Sequence, residues 1–254
     1  MMFESMVIAF AMYSKIPVPQ VEWNDRNRKY CICFFPLIGV VTGVIINVCF
    51  RVMQLLSVGD VLRGCILTVL PIALTGGIHM DGFLDTSDAI GSWKTKEEKL
   101  EIMKDSHCGA SALISGMCYM ILYVGAMTQA DGTALILGGM CMALSRAYSG
   151  LALLVFPKAK PDGLLRSFAD SAMTKRCSIV MIVWIAVISV LLVIFQPAAG
   201  SVCALCAILC FLWYRWMSGR SFGGITGDLA GYFLQICELA CLLTAVISGL
   251  VFLH

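Results

Sequence analysis

Apolar runs, most of them near bilayer-crossing length, recur along this chain, separated by short turns and by two long polar segments, 76–108 and 157–177. The runs cover residues 30–50, 61–75, 109–128, 133–156, 178–195, 201–217 and 229–253. A run of about 18 or more residues with few or no charges is what a hydrocarbon core demands, and a soluble core does not need it. Within a bilayer the backbone has to satisfy its own hydrogen bonds, so such runs read as helices. The pattern predicts an all-α, polytopic integral membrane protein of about seven transmembrane helices, forming a single domain over 1–254. Residues 1–13 are also apolar but too short for an ordinary span. Lys15-Ile16-Pro17-Val18-Pro19 stops them, which predicts an interfacial or re-entrant helix. In the first run Gly39 and Gly43 allow close helix contact, and Pro36 predicts a kink or a broken start.

Composition agrees with this reading. Of 254 residues 59% are hydrophobic and only 13% charged, about half the charge of a soluble domain. The thirteen cysteines lie mostly inside apolar runs, where cysteine behaves as a small hydrophobe. Cys203 and Cys206 have CxxC spacing but no nearby histidine or second pair, so packing is the reading preferred over metal or redox chemistry. Glu4 stands where a signal peptide would be basic, which argues against a cleaved leader. A net charge of +2 gives no reason to expect a nucleic-acid partner; the lipid bilayer is the expected surroundings.

The lysines and arginines sharpen the topology. Fifteen of the eighteen fall in residues 15–29, 94–104, 158–176 and 215–220, whereas the alternate turns carry only Arg51 and Arg63. By the positive-inside rule the richer loops face the cytoplasm. This places the polar stretch after residue 75, the 157–177 loop and the 215–228 loop on one face.

That face carries the candidate chemistry. Gly76-Gly77-Ile78-His79-Met80-Asp81-Gly82-Phe83-Leu84-Asp85-Thr86-Ser87-Asp88 holds three carboxylates at i, i+4 and i+7. On a helix they form one stripe about 60° wide. Like charges at that spacing repel, so a cation is expected opposite them. A hard divalent ion shared with substrate phosphates is the simplest. Acidic residues at a helix N-terminus would account for one or two of these aspartates through the dipole, but not for all three. His79 is a candidate for orienting a phosphate or moving a proton. Lys104-Asp105-Ser106-His107 precedes Gly109-Ala110-Ser111 at a span entry, where backbone N–H groups could hold an anion. Asp105 is a further candidate for a metal or hydroxyl contact.

Arg146 is the only lysine or arginine well inside a span. An anionic partner in a cavity is one reading; an ion pair with Glu238, the acidic residue of the last span, is the other. Gly223-Gly224-Ile225-Thr226-Gly227-Asp228 opens the last span and could approach phosphate closely. It lacks the lysine of a P-loop. Together these groups suit metal-assisted transfer on a diphosphate-bearing substrate. The competing classes are another membrane phospho-alcohol transferase, an ion-coupled transporter and a structural subunit. Acids gathered at one face, with no repeated halves, argue against a transporter, and a structural subunit leaves the stripe unexplained.

The stretch Thr75-Gly-Gly-Ile-His-Met-Asp-Gly-Phe-Leu-Asp-Thr-Ser-Asp-Ala and Leu100-Glu-Ile-Met-Lys-Asp-Ser resemble the signature of the cobalamin synthase (adenosylcobinamide-GDP ribazoletransferase) family. Tyr13-Ser-Lys-Ile-Pro-Val-Pro, Phe35-Pro-Leu-Ile-Gly and Gly223-Gly-Ile-Thr-Gly-Asp are similar to that family in the same order, so the resemblance spans nearly the whole chain. It implies a Mg²⁺-dependent enzyme, with Mn²⁺ as a substitute, in a bacterial cytoplasmic membrane with its active site facing the cytoplasm. The enzyme would join adenosylcobinamide-GDP to α-ribazole or its 5′-phosphate and release GMP, the ribazole 3′-hydroxyl attacking the corrinoid-side phosphorus. By the same resemblance Asp81, Asp85 and Asp88 would hold metal, with Asp85 also catalytic. His79 or Asp105 would assist the hydroxyl. Lys104, Ser106, Arg146, Gly223, Gly224, Thr226, Gly227 and Asp228 would bind substrate. A homo-oligomer, or association with other corrinoid-assembly enzymes, is compatible with it.

Overall fold

A computed structural model describes residues 2–105, 107–159 and 174–252, and every regular element among them is helical. A short pair, α1 (Met2–Tyr13) and α2 (Asp25–Arg28), leads through a 3₁₀ turn at Cys31–Phe34 into α3 (Phe35–Leu55). Then come α4 (Asp60–Thr75), α5 (Ile78–Gly91), α6 (Lys96–Ile102), α7 (Ala110–Gln129) and α8 (Gly132–Val155). After the undescribed part of the 157–177 loop follow α9 (Thr174–Phe195), α10 (Pro197–Phe222) and α11 (Gly227–Phe252).

Among the described residues six helices are long and apolar enough to cross a membrane: α3, α7, α8, α9, α10 and α11; the α4–α5 pair makes a seventh if counted as one broken span. The all-α polytopic reading therefore holds, and the chain is a multi-pass membrane protein. Helix α1, of twelve residues, is too short to cross and packs on the 3₁₀ turn and α3, burying Ser5, Val7, Ile8 and Ala9. Pro36 gives the broken start rather than a kink. It lies in the first turn of α3, where its missing N–H costs nothing, and residues 31–34 form the 3₁₀ turn ahead of it.

Helix α8 is the axis of the bundle. Residues 141–150 are all buried, as expected of a helix that is apolar or small-faced all round. It meets α3 through small residues. A Cβ added at Gly43 would lie 2.7 Å from the Gly139 Cα, and one at Gly39 would lie 2.4 Å from the Met142 carbonyl oxygen. With no hydrophobic drive between helices in lipid, this close backbone approach supplies the packing. Asn47 adds a bond across it, its amide donating to the Leu135 carbonyl at 3.0 Å.

The acidic stretch is helical, as its spacing predicts; α5 bends by 95° from α4 and packs into the bundle between α7 and α11. Gly76 and Gly77 make the bend with φ of +66° and +79°, a backbone region open to glycine at little cost. The face opposite the carboxylates explains the burial: Phe83, Thr86, Ser87 and Ala89 are enclosed, and the Phe83 ring stacks on Tyr232 at 5.3 Å and leans on Tyr119 at 5.0 Å.

Candidate active site

Two glycines build the site. A Cβ at Gly82 of α5 would stand 2.6 Å from the Asp228 carbonyl oxygen, and one at Gly231 of α11 would stand 3.0 Å from the His79 carbonyl oxygen. Only hydrogens at these positions let α5 and α11 touch along their backbones. The contact puts Asp81 and Asp228 in the wall of one cavity of about 750 Å³, which His79, Thr226 and Gly227 also line. That volume lies within the roughly 300–1,000 Å³ usual for ligand sites. The start of α11 opens onto it. Thr226 Oγ1 accepts from the Leu229 N–H at 3.2 Å, and the first N–H groups of a helix have no partner within the helix and favour an anion.

The three stripe aspartates divide. Asp81 is exposed in the cavity wall and Asp85 is half-buried one turn on. Asp88 turns to the start of α7, where a Cβ on Gly109 would lie 2.1 Å from its Oδ1. It therefore stands at a helix N-terminus, the dipole role considered for one or two of the stripe aspartates.

Of the other sequence-predicted residues, Lys104 lines the cavity and pairs with Glu101 at 2.5 Å. Asp105 is not brought to the cavity. Its carboxylate accepts from the His107 backbone N–H at 3.0 Å and meets His107 Nδ1 at 2.6 Å in an exposed loop. These bonds to His107 hold the Asp105 carboxyl below its usual range and push the imidazole above its own. Ser106 lies outside the described residues.

Gly223 and Gly224 also sit apart from the cavity wall. Gly223, at φ +75°, ends α10. Gly224 lies against the backbone of residues 157–159, where a Cβ would come within 2.5 Å of the Lys158 carbonyl carbon. Ile225 completes that junction, its N–H donating to the Pro157 carbonyl at 2.9 Å and its carbonyl accepting from the Ala159 N–H at 3.1 Å. These two glycines thus fasten the loop that aims Thr226, Gly227 and Asp228.

Arg146 takes the second of its two readings. Its guanidinium donates to Glu238 Oε1 at 2.6 Å and to the Met142 carbonyl at 2.8 Å, fully enclosed. Ser145 donates to the same Glu238 oxygen at 3.0 Å, and Tyr119 donates to Gln235 nearby. Arg146, Glu238, Gln235 and Tyr119 line a second, much smaller cavity of about 10 Å³, about the room of one water. His79 lines both cavities, and its buried Nε2 has no hydrogen-bond partner among the described residues.

Other cavity residues were not singled out in the sequence. Met12, Tyr13, Trp23, Arg28, Ile32, Phe35 and Lys158 all line it. They come from α1, the 14–24 connection, α2, the 3₁₀ turn, the start of α3 and the segment after α8, brought together only by the fold. Tyr13 and Phe35 stand inside motifs that the family resemblance had marked, which is the one signal that pointed at them.

The donor set is oxygen only, and among the described residues no three of His, Cys, Asp and Glu converge as a ready-made ligand group. Asp81 and Asp228, with Asp85 close by, fit an ion that takes one or two carboxylates from protein and its other ligands from phosphate and water. That is the habit of Mg²⁺ rather than of Zn²⁺. Of the CxxC pair, Cys203 is buried and its Sγ contacts the Cys241 carbonyl.

The sequence profile of a family described as cobalamin-5-phosphate synthase matches residues 5–246. A Lachnoclostridium phytofermentans protein named adenosylcobinamide-GDP ribazoletransferase is 43% identical over 244 residues, covering 96% of this chain and 94% of that protein. Proteins of the same name from Clostridium botulinum and Treponema denticola are 33% and 30% identical. The alignments cover 96% and 94% of this chain and 97% and 96% of those proteins. No solved structure matches the chain.

Proposed function

The chain belongs to the cobalamin-5-phosphate synthase family and is an enzyme of the adenosylcobinamide-GDP ribazoletransferase kind. We propose that it joins adenosylcobinamide-GDP to α-ribazole or its 5′-phosphate, releasing GMP, from the cytoplasmic side of a bacterial inner membrane. The observation that carries this reading is the Gly82–Gly231 contact, which sets Asp81 and Asp228 in one cavity wall beside the open N-terminus of α11.

The diphosphate lies between that N-terminus and the two carboxylates. The N–H groups of Gly227 and Asp228 bind phosphate oxygens, and Lys104 adds a positive charge at the wall. Asp81 and Asp228, with Asp85 close by, would hold Mg²⁺, or Mn²⁺ in its place. Such an ion, when bound, offsets the diphosphate charge and polarises the phosphorus under attack.

The ribazole 3′-oxygen forms a bond to the corrinoid-side phosphorus as the bridging P–O bond to GMP breaks. His79 takes the hydroxyl proton. It lines the cavity with one ring nitrogen unpartnered among the described residues, and Asp105 is turned away onto His107. The apolar lining of Leu100, Met103 and Ile225 limits water at the phosphorus and so limits hydrolysis.

Purified protein given both substrates and Mg²⁺ should yield a cobalamin and GMP in equal amounts, and none in excess EDTA. Asp81→Asn and Asp228→Asn should each lower turnover about 10²-fold or more while the protein stays monodisperse in detergent. Full turnover in chelator would remove the metal from the scheme. Absence of product with the wild-type protein under all metal conditions would remove the transfer itself.

A further inference from the structure

The large cavity has two chemically different ends. The charged end, described above, is made by α5 and α11. The other is a continuous apolar and aromatic wall from Met12, Tyr13, Trp23, Ile32, Phe35 and Leu153. Tyr13 and Phe35 lie with ring centroids 4.5 Å apart, and Phe35 meets the His79 ring edge-on at 6.0 Å. The rings thus form a file that runs from the wall to the side chain at the charged end.

The wall is held in place by bonds to three separate elements. Ser5 Oγ donates to the Asn27 carbonyl at 2.6 Å, tying α1 to α2, and the Lys15 N–H donates to the Leu74 carbonyl at 2.7 Å, tying the following segment to the end of α4. Trp184 Nε1 donates to the Cys33 carbonyl at 3.2 Å, fixing the 3₁₀ turn. A surface fixed this way pays little ordering cost when it binds a flat ligand. Trp23, by contrast, is 53% exposed where it lines the cavity, leaving indole surface for a ligand to cover.

We propose that this wall is the subsite for the heteroaromatic base of the hydroxyl-bearing substrate, with Trp23 and Tyr13 as its specificity-determining side chains. The inference rests on the transferase reading, which supplies two bases to choose between, guanine and benzimidazole. Guanine carries donors and an acceptor along its edge, and burying them without partners is costly. Among the described residues the wall offers the Tyr13 hydroxyl, the Trp23 N–H and the nearby Arg28, Ser149 and Lys158 as polar groups, set among alkyl and aryl surface. A dimethylbenzimidazole needs no such edge and gains from stacking and apolar burial. A base seated against Tyr13 and Phe35 places its attached ribose at His79, where the 3′-hydroxyl has to lie for the transfer. The guanine and the bulky corrinoid then stay towards the open, charged side. The wall accordingly favours apolar benzimidazoles over purines as the base of the nucleoside.

Trp23→Ala and Trp23→Phe test this. Trp23→Ala should raise the KM for α-ribazole roughly 10-fold, leave the KM for adenosylcobinamide-GDP and kcat within about twofold, and be largely rescued by Trp23→Phe. Without the corrinoid substrate, α-ribazole should quench tryptophan fluorescence in wild type and lose most of that quench in Trp23→Phe, while GMP should leave it unchanged. An α-riboside of adenine should bind at least 10-fold more weakly than α-ribazole. A wild-type enzyme that turns over while Trp23→Ala keeps its α-ribazole KM would overturn the subsite and leave the transfer intact. A rise confined to the KM for adenosylcobinamide-GDP would assign the wall to guanine instead, which also overturns it. A wild-type protein with no turnover that still shows the quench would retain the subsite and sink the transfer.

Discussion

Arg146 and Glu238 are joined inside the bundle with Ser145 as a third member, and neither lines the large cavity. Desolvating two charges is costly, and their attraction repays it only while both are present. Removing one should therefore do more harm than removing both. Arg146→Met should destabilise the protein by about 3–5 kcal/mol, the usual cost of a stranded buried charge, and Arg146→Met combined with Glu238→Leu should recover most of it. Denaturant unfolding in detergent measures the stability, and the double variant should keep turnover within several-fold of wild type. A folded double variant without activity would instead give Arg146 a place in phosphate binding. The sequence alone could name both partners but not choose between them, because an arginine in a span needs an anion and either glutamate or phosphate supplies one. The choice depends on the register of α8 against α11, which is a packing property.

Helix α5 makes the same point at the scale of an element. Its helical period was legible in Asp81, Asp85 and Asp88. What could not be read was where each carboxylate points. That is set by Gly82 against Asp228 and by Gly109 against Asp88, contacts between distant segments. Gly82→Ala isolates the first contact. The added carbon would stand 2.6 Å and 2.8 Å from the Asp228 carbonyl oxygen and Cα, and backbone atoms cannot swing aside as a side-chain tip can. The helices have to separate by a fraction of an ångström to an ångström, and a displacement of that order costs about 10²-fold in rate. Helix content and detergent behaviour should be unchanged. Gly125→Ala on α7 is the matched control, since nothing lies within 4 Å of its added carbon; it should keep full activity and, by propensity, gain stability. Equal losses in both variants would show that Gly82 matters for folding and not for aiming Asp228. The residues that the sequence missed in the cavity, Trp23, Arg28 and Lys158 among them, were missed for the same reason, since no local period connects the 14–24 connection, α2 and the segment after α8.

At the scale of the whole molecule the open question is which way the cavity faces. Apolar run length made the helical bundle legible from the start, because a bilayer leaves few alternatives. Orientation rests on the distribution of fifteen basic residues against two. Cysteine chemistry provides a direct test. Cys65, Cys108 and Cys118 are the exposed thiols among the described residues, but only Cys108 lies in a loop. Cys65 and Cys118 sit on the apolar helices α4 and α7 beside Leu62, Ile66, Met117 and Ile121, all exposed apolar side chains. A thiol has to ionise to react with maleimide, and hydrocarbon does not support the anion, so a charged reagent should modify Cys108 alone. If the cavity opens to the cytoplasm, Cys108, which follows Lys104 in the cavity-side loop, should label in inverted vesicles and be protected in sealed right-side-out ones. Ala198→Cys, in the exposed first turn of α10 at the opposite end of the bundle, should show the reverse. Mass spectrometry of the modified protein reads both sites at once. The opposite pattern would place the site outside the cell, away from the nucleotide that the proposed reaction consumes, and would require another activity.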